Sequence, residues 1–204
     1  MSSSPSTPKI AAIAQLRSTS SKFQNLVNVA KCARMAKTQG ASMLFLPENF
    51  GFMGENGEQT LKAAEDPVMD DTRKNDEVVV QALTSILSSN DDAVLALPTD
   101  SEPVALLHGL KVIASQSGLW ISGGGMHVLG APPDEESGAA RVYNTHVIID
   151  NHGDVRCLYR KIHLFDVSIP GKVNLRESAT TAPGTELVVC DSPLGATRKR
   201  AQET

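Results

Sequence analysis

SMLFLPENF, residues 42–50, is a continuous apolar strand that breaks at Pro47 and delivers a carboxylate, Glu48, directly after the break. An unbroken apolar run of this length reads as a strand covered on both faces. Upstream, KIAAIAQL (9–16) reads as a second buried strand. Between the two, Phe23, Leu26, Val27, Ala30 and Ala33 recur at helical spacing, with Thr19 or Ser20 placed to cap the helix and Gly40 to end it. Two buried strands joined by a helix make a β-α-β unit, and such a crossover makes the strand pair parallel. The fold class is therefore α/β.

The remaining chain extends this pattern. Residues 54–76 are polar with little periodicity and read as loop. A helix is expected over 77–89, turn residues over 90–103, and a second helix over 104–118, ending at Gly118. LWISGGGMHVLG (119–130) is a strand, and its three glycines lack the spacing of a dinucleotide-binding loop and mark a strand irregularity. A loop leads to RVYNTHVIID (141–150), the tight turn NHGD (151–154), and a returning strand VRCLYRKIHLF (155–165). Residues 166–185 read as a long loop, of the kind that tends to carry function. ELVVCDSPLG (186–195) is the last strand, buried, with Val188 and Cys190 on one side and Leu187 and Val189 on the other. The expected domain spans 9–195, between a disordered arm (1–8) and a charged tail (196–204) that cannot pack.

Composition narrows the function classes. The 204 residues are 41% apolar and 21% charged, ordinary for a globular protein with a real core. A net charge of −4 argues against a large nucleic-acid surface, and the one basic cluster, RKR at 198–200, reads as a solvated terminus. No apolar run approaches the roughly 18 residues of a membrane span. Cys32, Cys157 and Cys190 are odd in number and widely spaced, which favours free thiols in a reducing, cytoplasmic setting. MSSSPSTPK lacks the apolar core of a secretory signal, though it is compatible with a fragment of a mitochondrial or plastid targeting peptide. The five histidines show no metal-ligand spacing, and PGK at 170–172 lacks the Walker spacing, so neither a metal nor another cofactor is expected.

Three charged residues carry the chemistry. Glu48 lies at the carboxyl end of a buried strand, where ligand sites gather in α/β folds. Apolar surroundings would raise its pKa toward that of a general base; a loop carboxylate capping a backbone N–H is the alternative. Lys161 falls on the alternation Cys157, Tyr159, Lys161, His163, which gives it one face with an aromatic and a thiol. There it could stabilise an oxyanion or a thiolate, or serve only as an edge-strand lysine. Glu177, in the long loop, could fix the lysine ammonium or touch substrate, or be a solvated charge.

Taken together, LFLPENF, YRKIHLFDVSIPGKVNLRES and the strand order around them resemble the nitrilase superfamily of carbon–nitrogen hydrolases. Within it they resemble the amidases of deaminated glutathione and of omega-amides. The resemblance runs from about Lys9 to Gly195. It implies an α-β-β-α sandwich, here incomplete, usually paired into homodimers. It implies hydrolysis of a small-molecule amide through a Glu-Lys-Cys triad and a thioester, without cofactor. Glu48 would be the base, Lys161 the oxyanion-stabilising lysine, and Glu177 the second glutamate beside it. The family's nucleophilic cysteine follows the SPLG turn, here Ser192–Gly195, and the residues after it, ATRKRAQET, contain none. Cys190 precedes that turn and reads as an inert core thiol, and neither Cys32 nor Cys157 matches the motif. The expectation is a chain truncated before its nucleophile and inactive alone: an amidase by descent, or else a catalytically dead homologue acting as an interaction subunit. The stretch 66–103 is longer than the family's usual path.

Overall fold

The computed structural model describes residues 9–66, 76–89 and 104–198. The arm 1–8, most of the long stretch 66–103 and the last residues of the tail lie outside the described residues. Five strands form one sheet in the order β1 (Ala11–Ile13), β2 (Met43–Leu46), β3 (Trp120–Val128), β4 (Tyr143–Ile149) and β5 (Val155–Arg160). β1, β2 and β3 are parallel, as the β-α-β reading requires, and β3, β4 and β5 are antiparallel.

Side chains alternate between two faces of this sheet. Leu44, Leu46, Ile121, Val147 and Ile149 join the main core. That core is roofed by α1 (Lys22–Thr38), α3 (Asp76–Ser88) and α4 (Leu106–Ser117), which pack against one another. Leu26, Val29, Leu110 and Ile113 are fully buried there. The opposite face carries Met43 and Ile148, and against it lies Cys190 from β8 (Val189–Ser192), with Phe45, Trp120, Cys157 and Leu194 around them. A sheet between a helical layer and a short strand layer on its other face is the α/β architecture expected of the carbon–nitrogen hydrolase type. Among the described residues, no helix is long and apolar enough to cross a membrane.

Several expectations require correction. β1 is shorter than 9–16 and is not buried: it is the sheet edge, and Ile13 is 86% exposed. The cap of α1 is Ser21, which accepts from Gln24 N at 3.2 Å. Thr19 stands ahead of it: its hydroxyl accepts from Ser21 N at 3.2 Å, and its N–H and hydroxyl donate to Asn25 Oδ1. Within 54–76 lies a helix, α2 (Gly57–Ala63), which periodicity missed because it buries no residue. Its cap is local: Asn56 Oδ1 accepts from Gln59 N, and Gln59 Oε1 accepts from Glu55 N.

The long loop 166–185 contains a hairpin, β6 (Asp166–Ile169) and β7 (Val173–Arg176), closed at Gly171 with φ 70°. β5 stops at Arg160, not at Phe165, because the Lys161 carbonyl turns away to accept from Gly184 N at 2.8 Å. The last strand is covered on one side only, with Leu187 and Val189 exposed and Cys190 buried. The tail also begins as structure. Gly195, at φ 112°, reverses the chain, and β9 (Gly195–Arg198) pairs antiparallel with β8.

One capping arrangement joins distant parts of the helical layer. The Ala105 cap of α4 has no side-chain hydrogen bond of its own. Instead the buried Glu65 carboxylate accepts from Leu106 N at 2.7 Å and Leu107 N at 3.3 Å, and pairs with Lys22 Nζ of α1 at 2.6 Å. A carboxylate at a helix N-terminus meets both the orphan N–H groups and the positive end of the dipole. Glu65→Ala leaves those donors and a largely buried ammonium unpaired, so it should lower unfolding stability by roughly 3 kcal/mol. Urea denaturation checks this; a loss indistinguishable from that of an exposed substitution would refute the cap.

Candidate active site

The site lies on the sheet face turned away from the helices, at the carboxyl end of β2. Lys161, just beyond β5, is the centre. Its Nζ lies 2.9 Å from Glu48 Oε1 and 2.9 Å from Glu177 Oε2. The three residues proposed from sequence therefore converge, although Glu48 and Lys161 are 113 positions apart. By strand register Cys157 and Tyr159 share the face of Lys161, as the alternation implied.

Each side chain has its own support. Lys161 N donates to the Asn144 carbonyl at 2.8 Å, which extends the β4–β5 ladder by one residue. Glu177 opens a 3₁₀ turn after β7, and its Oε2 also accepts from Phe165 N at 2.7 Å. Ser178 beside it donates from its hydroxyl and its N–H to Asp166, and these bonds hold the Asp166 carboxyl below the usual range. The turn is thereby tied to the base of the β6–β7 hairpin.

Glu48 is positioned by close backbone approach. A Cβ on Gly124 would lie 1.8 Å from the Pro47 carbonyl oxygen, so only glycine lets the end of β2 cross β3 there. The register of β3 against β4 shifts between Gly123 and Gly125, and the triple glycine is thus a bulge, as its spacing suggested. Asn49 N donates to the Gly125 carbonyl at 3.0 Å, and Asn49 sits at φ 56°, the left-handed region that asparagine tolerates better than most residues. Behind this turn the buried Asn25 of α1 donates from Nδ2 to both Thr19 O and Gly51 O, at 2.8 Å each. Two neighbouring loops are fastened to one helix side chain.

The apolar surroundings expected for Glu48 are absent. Its side chain is 52% exposed, and its Oε1 accepts from both Lys161 and Asn144 Nδ2. For Lys161, burial works against the charged form. The hydrogen bonds that Lys161 donates to Glu177 and Glu48, and their charges, outweigh burial and hold the ammonium above its ordinary pKa. His127 lies on the same face and is held below its ordinary value, chiefly by burial and also by Lys22 and Lys161; the two glutamates oppose this.

The thiols lie apart from this cluster. Cys190 is buried between β8 and the sheet, beside Cys157. Burial and the Cys190 neighbour push the Cys157 thiol up to about 12, and burial pushes Cys32 on α1 up as well. Thiols held protonated make poor nucleophiles. Among the described residues, no group of His, Cys, Asp and Glu is arranged to hold a metal. Sequence reasoning missed Asn144, Asn25 and His127. Asn144 and His127 read as ordinary alternating strand positions, and only the buried helical position of an amide could have drawn attention to Asn25.

Two outcomes follow from this geometry. Gly124→Ala should destabilise the chain by roughly 2–3 kcal/mol, the range for overpacking against unyielding backbone; a thermal melt unchanged from wild type would refute the close approach. The second concerns pH. Lys161 is raised on folding, so its contribution is fully present below the ordinary lysine pKa and is lost as pH rises through the folded value. His127 is lowered on folding, so its contribution is present above the ordinary 6.5 and is lost as pH falls toward the folded value. The melting temperature should therefore fall on acidification below about 6.5, and His127→Gln should flatten that limb.

Comparison with known proteins agrees with this reading of the fold. The carbon-nitrogen hydrolase family profile matches residues 10–201, which extends past Gly195 into the expected tail. Deaminated glutathione amidase of Bos taurus is 34% identical over 193 residues, covering 95% of this chain and 46% of that protein. The Homo sapiens protein of the same name is 31% identical, covering 95% of this chain and 47% of its own length. The chain thus spans about half the length of these curated relatives. The crystal structure of the Caenorhabditis elegans NitFhit protein superposes with a TM-score of 0.57 at 28% identity, covering 91% of this chain and 35% of that one. A profile match over nearly the whole chain, on a fold with the same core, places this chain in the carbon–nitrogen hydrolase family.

Proposed function

We propose that this site belongs to an amidase that hydrolyses the amide of deaminated glutathione or a related omega-amide. The observation that carries the reading is the convergence of Glu48 and Glu177 on the Lys161 ammonium. The names of the relatives supply the substrate class. In this reading a cysteine thiolate attacks the amide carbonyl. Glu48 accepts the thiol proton and returns it to the departing ammonia. Lys161, held charged by its two carboxylates, faces the oxyanion that develops on the carbonyl oxygen. A thioester forms and water, activated by Glu48, cleaves it. Glu177 acts by holding the ammonium in place.

The proposal assigns the nucleophile to none of Cys32, Cys157 and Cys190. Two of them have their pKa raised, and the third is buried between the sheets. The 204-residue chain alone is therefore expected to release no ammonia from deaminated glutathione or 2-oxoglutaramate. A version continued past Gly195 with the cysteine-bearing strand that the resemblance implies, and the elements after it, should be active. In that version Glu48→Gln should reduce kcat by roughly 10²–10⁴ and Lys161→Ala by roughly 10²–10³. Turnover by the short chain that survives Glu48→Gln would overturn both the site and the assignment of the nucleophile.

A further inference from the structure

We propose that Asn144 is the positioning residue for the Glu48 carboxylate, clamping its Oε1 jointly with Lys161; the catalytic meaning of the clamp, though not the clamp itself, rests on the amidase reading. Asn144 Nδ2 donates to Glu48 Oε1 at 2.6 Å and lies 3.2 Å from Glu177 Oε1. Lys161 Nζ reaches the same Glu48 oxygen at 2.9 Å. One carboxylate oxygen thus receives two donors, one from β4 and one from the end of β5.

The amide is itself immobilised. Asn144 is 4% exposed, and its backbone is fixed in the ladder, where its main-chain carbonyl accepts from Lys161 N. On its other side, a Cβ on Gly125 would lie 2.1 Å from Asn144 Oδ1, so the amide is seated against bare β3 backbone. Its orientation follows from its neighbours, because only the NH₂ end can satisfy two carboxylate acceptors. A half-exposed glutamate would otherwise sample several rotamers.

The position also demands a neutral donor. Two carboxylates already share one ammonium, and a third negative charge would repel both. An apolar side chain of equal volume would leave Glu48 with one clamp instead of two. The residue type is therefore set by charge and donor count, not by volume.

A polarity swap tests this on the chain as it is. Asn144→Asp places carboxylate against carboxylate and should lower the melting temperature. Combining it with Glu48→Gln restores the charge count of the wild type and supplies an amide whose Nε2 donates to the new carboxylate while its Oε1 accepts from Lys161. The double variant should recover part of the loss, the repulsion from Glu177 remaining. Asn144→Leu, which removes the donor and keeps the volume, should gain nothing from Glu48→Gln. A second readout is the Lys161 side-chain ammonium resonance in ¹H–¹⁵N spectra, assigned by its loss in Lys161→Ala. It should be slowed in exchange in the wild type, be lost in Asn144→Asp and return in the swap. Additive destabilisation without recovery, or an ammonium signal unaffected by Asn144→Asp, would reduce Asn144 to a packing residue and overturn the proposal. Neither readout uses turnover. Recovery in the swap alongside an inactive extended chain counts against the amidase reading alone, and the converse counts against the clamp alone.

Discussion

One ammonium between two carboxylates ties together three parts of the chain. Lys161 follows β5, Glu48 follows β2, and Glu177 follows the β6–β7 hairpin. The side chains of Lys161 and Glu177 are 26% and 19% exposed, and Glu48 is more open still. Solvent screens the Glu48 half of this cluster, because that side chain is half exposed, whereas the Lys161–Glu177 half is mostly buried. The consequence here is spatial. A cation that must satisfy both carboxylates fixes where the hairpin sits relative to the end of the central parallel strand.

That arrangement rests on backbone contacts that tolerate no side chain. Gly124 admits the Pro47 carbonyl and Gly125 admits the Asn144 amide, so one bulge in β3 makes room for both Glu48 and its clamp. The left-handed Asn49 turns the chain away immediately after Glu48. Asn25 then holds the descending loop to α1 through Gly51 O and Thr19 O. The left-handed Asn49 and the buried amides of Asn25 and Asn144 support the turn that carries Glu48, while the helix-side core is almost wholly aliphatic. This is the distribution expected where geometry is held for a site and not for packing.

The two faces of the sheet differ in how fully they are covered. The helical face is closed by α1, α3 and α4, and the buried Glu65–Lys22 pair fastens α1 to the start of α4. On the other face β8 and Leu194 cover Met43, Ile148 and Cys157, while Ile13 at the β1 edge stands in the open. Cys157 and Cys190 belong to this inter-sheet contact. Their setting accounts for a Cys157 thiol that stays protonated, and separates both thiols from the charge cluster above them.

Much of this was legible in the sequence. Continuous apolar runs, helical spacing and the terminators Gly40 and Gly118 determined the parallel β-α-β start, α1 and α4, because burial on both strand faces and a 3.6-residue period leave a local imprint. The motifs around Glu48, Lys161 and Glu177 pointed to one family and one site. Where the signal is local but the outcome depends on neighbours, sequence reading failed. The edge position of β1, the exposed side of β8 and the early end of β5 are decided by which strands lie alongside, not by hydrophobicity. The α2 helix and the β6–β7 hairpin bury too little to imprint a period. Asn144, Asn25 and His127 acquired roles only through residues far away in the chain, and the charged surroundings of Glu48 came from the same source. An ammonium 113 positions distant leaves no mark on the nine residues around a glutamate, and only the folded sheet brings it within 2.9 Å.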